Sequence, residues 1–298
     1  MPKPFTPGRP YWWQCLTVLS LDAPLVAVMW QALFARVLRV DLPWYQPLLL
    51  GLAVWVVYVA DRWIEGWRLS PEMVKTQRHH FYISWRWPVF GLGVVVILAA
   101  LGIAAVCLPA REWAASVVLA VPTGIYLLSH QLLHRHHPWR VPKEFCIAAI
   151  FPLGTALGPV AAALPGKINW HFIGEAFDGR LAALWLPLGL FGLLCLANLA
   201  LISAWEAEVD VSHGQTSIAL QFPRGVPLIH GLPWLLLATG LAVALGNGGV
   251  ERIAGLCVAA SAALLVALDH LEPRIGRQAA RALVDLALLT PAVALLFA

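Results

Sequence analysis

The stretch Leu48-Leu49-Leu50-Gly51-Leu52-Ala53-Val54-Trp55-Val56-Val57-Tyr58-Val59-Ala60 is almost wholly apolar and runs directly into Asp61-Arg62-Trp63-Ile64-Glu65-Gly66. A continuous run of this kind, without polar alternation, predicts a membrane-crossing helix rather than a half-buried strand. If the helix continues into the polar part, Asp61 and Glu65 share one face, a turn apart. A second apolar run ends in Trp205-Glu206-Ala207-Glu208-Val209-Asp210, where Glu206 and Asp210 repeat the spacing. Brought together, the two faces predict a divalent-cation cage.

The rest of the chain has the same character. Of 298 residues, 60% are apolar and 12% charged, against roughly 25% charged in soluble domains, and the mean hydropathy is +0.75. These values predict a polytopic membrane protein. Runs of about 20 apolar residues can be placed nine times, at 13–35, 43–60, 87–108, 113–133, 144–163, 182–205, 226–246, 252–269 and 279–298. The runs are rich in Leu, Ala and Val, and transmembrane barrels need shorter alternating segments, so the expected fold class is all-α, a single domain over 1–298. No small-residue cleavage site follows the first run, which is therefore expected to stay as a helix.

Basic residues set the expected orientation. With nine spans, 14 of the 20 Lys and Arg fall on the face that holds the N-terminus and the loops after spans two, four, six and eight. The positive-inside rule makes that face cytoplasmic, in a cell (inner) membrane. Both acidic pairs end on it. Basic residues interleaved with spans give no reason to expect nucleic acid, and no protein partner is predicted. The five cysteines, Cys15, Cys107, Cys146, Cys195 and Cys257, stand singly in apolar segments and predict neither disulfides nor a thiolate metal site.

Carboxylates at a membrane face suit Mg²⁺, which takes hard oxygen ligands, keeps waters and commonly shares its shell with phosphate oxygens. The candidate metal ligands, also the candidate catalytic residues, are Asp61, Glu65, Glu206 and Asp210, with Glu208 as a fifth ligand. Basic side chains near them, Arg62, Lys75, Arg78 and Lys143, are candidates for holding a diphosphate. His130 and His134, spaced as a helical metal pair, form a competing cluster without an acidic third ligand nearby. Aromatic faces that could stabilise positive charge near this site are expected from Tyr58, Trp63, Trp67, Tyr82 and Trp205. Asp22 with Pro24 interrupts the first run, while Asp269, His270, Glu272, Arg274, Arg277 and Arg281, mixed in sign, suggest a solvated loop. Arg281 and Asp285 have the spacing of an ion pair within one helix.

In these motifs the sequence resembles the UbiA superfamily of intramembrane prenyltransferases. Ala60-Asp61-Arg62 through Glu65-Gly66 is similar to that family's first motif, Asn-Asp-x-x-Asp-x-x-x-Asp. Glu206 through Asp210, followed by Gly214-Gln215-Thr216-Ser217, is similar to the second, Asp-x-x-x-Asp with a trailing Gly-x-Lys-Thr/Ser. Asp22-Ala23-Pro24 is similar to the family's Asp-Lys-Pro, and Lys143 stands where the family has a Lys-Arg pair. The resemblance implies nine helices, Mg²⁺, an isoprenyl diphosphate donor bound by the two acidic motifs and a lipophilic acceptor. Val57 and Tyr58 replace the opening Asn-Asp, Glu65 and Glu206 replace Asp, and Thr216 stands where Lys is usual. These departures leave a non-catalytic polyprenyl- or lipid-binding relative, or a terpene cyclase of the same superfamily, as alternatives to transfer.

Overall fold

The protein is described from a computed structural model covering residues 14–68, 77–129, 141–164, 179–212 and 216–296. Among these residues all regular structure is helical. In chain order the helices are α1 (Cys15–Val18), α2 (Asp22–Val37), α3 (Tyr45–Arg68), α4 (Gln77–Ser84), α5 (Arg86–Cys107), α6 (Ala110–Leu128) and α7 (Lys143–Ala163). They are followed by α8 (Gly179–Trp205), α9 (Ala207–Ser212), α10 (Ile218–Gln221), α11 (Val226–Gly246), α12 (Gly249–Ile275), α13 (Arg277–Leu286) and α14 (Thr290–Leu296).

Seven segments among the described residues are long and apolar enough to cross a membrane, against the nine expected. The two others are α2 and α6. The expected span 13–35 is not one helix, because the chain turns at Leu19 to Leu21 with Ser20 in the left-handed region at φ 58°. This buried break is held by side chains. Arg62 donates from Nη1 to the Thr17 carbonyl at 2.6 Å and to Ser20 Oγ at 2.5 Å, and the Tyr82 hydroxyl lies 2.7 Å from the same Oγ. Such partners satisfy groups that an interrupted helix leaves open. Asp22 and Pro24 therefore start α2 rather than kink it, in the first turn, where proline removes no helical hydrogen bond. Helix α6 carries Arg111 and Glu112 in its first turn, which shortens its apolar length.

The C-terminal half also differs from expectation. Helix α12 continues through Asp269 to Ile275 and stops at Gly276, whose φ is 83°, so the expected solvated loop is helical. The last span is divided between α13 and α14. Helices α11 and α12 lie close because each offers a glycine at the crossing: a Cβ on Gly255 would stand 2.8 Å from the Gly240 carbonyl oxygen and 2.8 Å from the Ala244 nitrogen. The core centres on α8, where Phe191 stacks on Trp30 with ring centroids 4.2 Å apart and the Trp30 indole donates to the Leu288 carbonyl at 2.9 Å. Outward-facing Val95, Leu98 and Val106 on α5 are exposed apolar residues, as a lipid-facing helix requires. All five cysteines are free.

Candidate active site

A cavity of about 650 Å³ opens between the helices, and its lining brings the two acidic pairs together. Asp61 and Glu65 reach it from α3, which runs unbroken past both, so their one-turn spacing is realised. Glu206 and Asp210 also line it. Their helix does not continue smoothly: α8 ends at Trp205 and α9 begins at Ala207. The one-turn relation survives because the Asp210 N–H donates to the Glu206 carbonyl at 2.9 Å.

Lys143 joins the two pairs. It opens α7, where the positive end of the helix dipole adds to its charge. Its ammonium interacts electrostatically with Asp210, Glu144, Glu65 and Asp61. Glu144, beside it, is a fully buried carboxylate on the same wall that sequence reasoning passed over. Tyr126 of α6 is likewise on the cavity and interacts with Asp61, a placement that only packing creates. Ser217, in the expected trailing segment, lies against Asp210. Burial raises the Asp210 carboxyl above its ordinary range. Lys143 and Ser217 offset part of that shift, while Glu206 and Glu65 add to it.

Other expected residues are placed differently. Glu208 does not line the cavity; it is exposed, and its carboxylate takes a 2.8 Å bond from Arg277. Two residues along a helix is about 200° of rotation, so Glu208 cannot share the face of Glu206 and Asp210. Arg62 does line the cavity, but its Nη1 is engaged by Thr17 and Ser20, and its guanidinium lies 5.7 Å from the Tyr58 ring centroid. That makes it a brace for the α1–α2 break as well as a cation at the site. Lys75, Gly214, His130 and His134 lie outside the described residues, and Arg78 stands in the first turn of α4. Of the five expected aromatics only Tyr58 reaches the cavity; Trp63 donates to the Arg86 carbonyl and Trp205 to Asp269 instead. Trp113, Tyr126 and Phe151 supply the other aromatic walls.

A further ionic group borders the acidic end. Arg281 and Asp285 of α13 form the expected ion pair at 2.6 Å, and Asn198 of α8 donates to the other Asp285 oxygen at 2.8 Å. Both charged residues line the cavity, and Arg281 interacts with Glu206.

The donors around the acidic end are all hard oxygens, with no His or Cys in the lining, a set that suits Mg²⁺ over a softer metal. Among the described residues, however, no three His, Cys, Asp or Glu side chains converge closely enough to hold a metal ion. The four carboxylates expected to form a cation cage thus stand as two pairs lining one cavity. That still fits Mg²⁺, which commonly takes one or two carboxylates and completes its shell with water and phosphate oxygens.

Comparison of the coordinates finds the apo structure of a UbiA homolog from Aeropyrum pernix K1 with a TM-score of 0.59, 17% sequence identity, and coverage of 93% of this chain and 98% of that chain. The chain has the fold of that UbiA homolog. No family model and no curated protein matches the sequence. The UbiA-like fold is what brings α3 and the α8–α9 turn, far apart in sequence, to one cavity.

Proposed function

We propose that this protein is an integral-membrane prenyltransferase that moves an isoprenyl group from a prenyl diphosphate to a lipophilic acceptor, with Mg²⁺ as cofactor. The carrying observation is a single cavity whose acidic end holds Asp61, Glu65, Glu206 and Asp210 around Lys143 and whose remaining wall is mostly apolar, including Leu50, Val54, Leu101 and Leu119. Such a cavity suits a ligand with a charged head and a hydrocarbon tail. Carboxylates outnumber basic groups at the acidic end, so an anionic head needs intervening cations.

In this reading Asp61 with Glu65, and Glu206 with Asp210, hold Mg²⁺, while Lys143, together with Arg62, Lys75 and Arg78, contacts the diphosphate. Bound Mg²⁺ supplies charge neutralisation for the departing diphosphate. Lys143 orients the head between the two pairs, the apolar walls keep water from the reacting carbon, and the Tyr58 and Tyr126 rings offer π faces to positive charge developing there. The acidic end opens to the cytoplasmic side of the cell (inner) membrane. Neither nucleic acid nor a protein partner enters the scheme.

The test is release of diphosphate from prenyl diphosphates of graded length by purified protein with Mg²⁺. Asp61→Asn and Asp210→Asn are expected to abolish it; no release at any length, or release indifferent to both substitutions, overturns the proposal. A second reading rests on Val57 and Tyr58, which line the cavity where the resemblance leads one to expect Asn-Asp: a relative that binds a polyprenyl lipid without turnover. It predicts binding with no release. A terpene cyclase instead gives release without an acceptor and a product with the mass of the cyclised donor.

A further inference from the structure

The cavity has a second polar end. Gln46 stands in the first turn of α3 and Asp61 lies fifteen residues on along the same helix, about 22 Å of axial rise, and both line the cavity. Beside Gln46 at this distal end are Gln31 from α2, Glu112 from α6 and Gly158 from α7. Gln31, Gln46 and Glu112 are 2%, 6% and 7% exposed. Such deep burial demands hydrogen-bond partners.

Those partners are incomplete. Gln46 Nε2 donates to Glu112 Oε2 at 3.2 Å, but Gln46 Oε1 and Gln31 Oε1 have none. Both amides converge on the face left bare by Gly158: a Cβ there would stand 2.7 Å from Gln46 Oε1 and 2.9 Å from Gln31 Nε2. A side chain at 158 would fill the space into which the amides point. Three helices thus contribute polar atoms to one buried spot whose acceptors are unmet.

We propose that this distal end is a binding site for a hydroxyl group on an otherwise apolar ligand. A methyl terminus would seal two amide oxygens from any donor, which is unfavourable. An anion would meet the Glu112 carboxylate. A cation finds that carboxylate already bonded to Gln46 and 4.0 Å from the Arg111 guanidinium. A hydroxyl both donates and accepts, so it satisfies the amide pair whichever way each amide is turned. The site needs only the cavity and is independent of whether the acidic end takes a diphosphate.

The test uses probes without phosphate. Full-length protein in detergent is equilibrated with 1-alkanols or with 1-chloroalkanes of matched length, and bound probe is counted by native mass spectrometry. The wild type is expected to retain the alkanol about 3–10-fold over the chloroalkane, the worth of one net hydrogen bond. Gln31→Leu and the double variant Gln31→Leu/Gln46→Leu should erase that preference while still binding chloroalkane, and Asp210→Asn should keep it. Equal retention in the wild type, as expected if the amides hold only water, overturns the proposal. So does a preference that survives both glutamine variants. Gln31→Leu removes no hydrogen bond seen in the structure, so it reports on the site even if the double variant fails to fold.

Discussion

Arg281 donates from Nη1 to Asp285 Oδ2 over 2.6 Å, one turn apart on α13, and both side chains are largely buried at the edge of the cavity. Asn198 takes up the remaining Asp285 oxygen and so ties α13 to the central helix α8. Removing one member of such a pair strands the other charge in a poorly solvated place. Asp285→Ala is expected to cost about 3–5 kcal/mol, whereas Arg281→Met with Asp285→Leu should come close to neutral. Thermal unfolding in detergent checks this, and comparable losses in the single and double variants would contradict it.

Glu206 and Glu208 separate the site from its surroundings. Glu206 lines the cavity and interacts with Arg281; Glu208 points outward to Arg277. Glu208→Gln should therefore leave diphosphate release within about twofold, since an exposed ion pair contributes little. Glu206→Gln should lower release by on the order of 100-fold, as the loss of a group aimed at developing charge does. Equal effects of the two substitutions would remove the acidic end from the reaction.

Asp210 gives a pH signature. Burial holds its carboxyl above the ordinary value of 3.8, so the folded state binds this proton more tightly than the unfolded state does. The resulting stabilisation is present at low pH and is lost as pH rises from that value through the raised folded one. Asp210→Asn carries no such proton. In EDTA, the melting temperature of the variant minus that of the wild type should climb as pH rises through this window and then level off. A difference that does not change with pH would mean that the Asp210 carboxyl is not raised.

What could be read from sequence follows from how local each feature is. The Asp61–Glu65 and Glu206–Asp210 spacings are properties of one helical turn, and Arg281–Asp285 is another, so each pair was visible before any packing was known. Glu144 and Tyr126 were not, because nothing in their neighbourhoods distinguishes them; they matter only because α6 packs on α7 and α7 reaches α3. Gln31, Gln46 and Glu112 come from three helices; each glutamine looks alone like a stray polar residue in an apolar run, and Glu112 beside Arg111 looks like the charged end of one. The break at Ser20 is not legible locally because its partners, Arg62 and Tyr82, lie more than forty residues away in sequence. Glu208 shares the acidic stretch with Glu206 and Asp210 but not their helix face, a distinction that composition does not carry.

Tyr58 decides between catalysis and binding alone. Its ring faces Arg62, and its hydroxyl interacts with Asp285, Asp22, Arg62 and Arg281, so it sits between the cavity and the buried ionic group. Tyr58→Phe keeps the ring over the guanidinium and should change stability and diphosphate release only within severalfold. Tyr58→Asp places a third carboxylate near Asp22 and Asp285, where Arg62 and Arg281 are already shared, and should lower the melting temperature. Combined with Val57→Asn it recreates the Asn-Asp that the resemblance calls for. If the wild type binds prenyl diphosphate but releases nothing and the double variant gains release, the protein is a binder whose chemistry was lost at these two positions. If the wild type turns over and the double variant is slower and less stable, the tyrosine belongs to a working site of altered design.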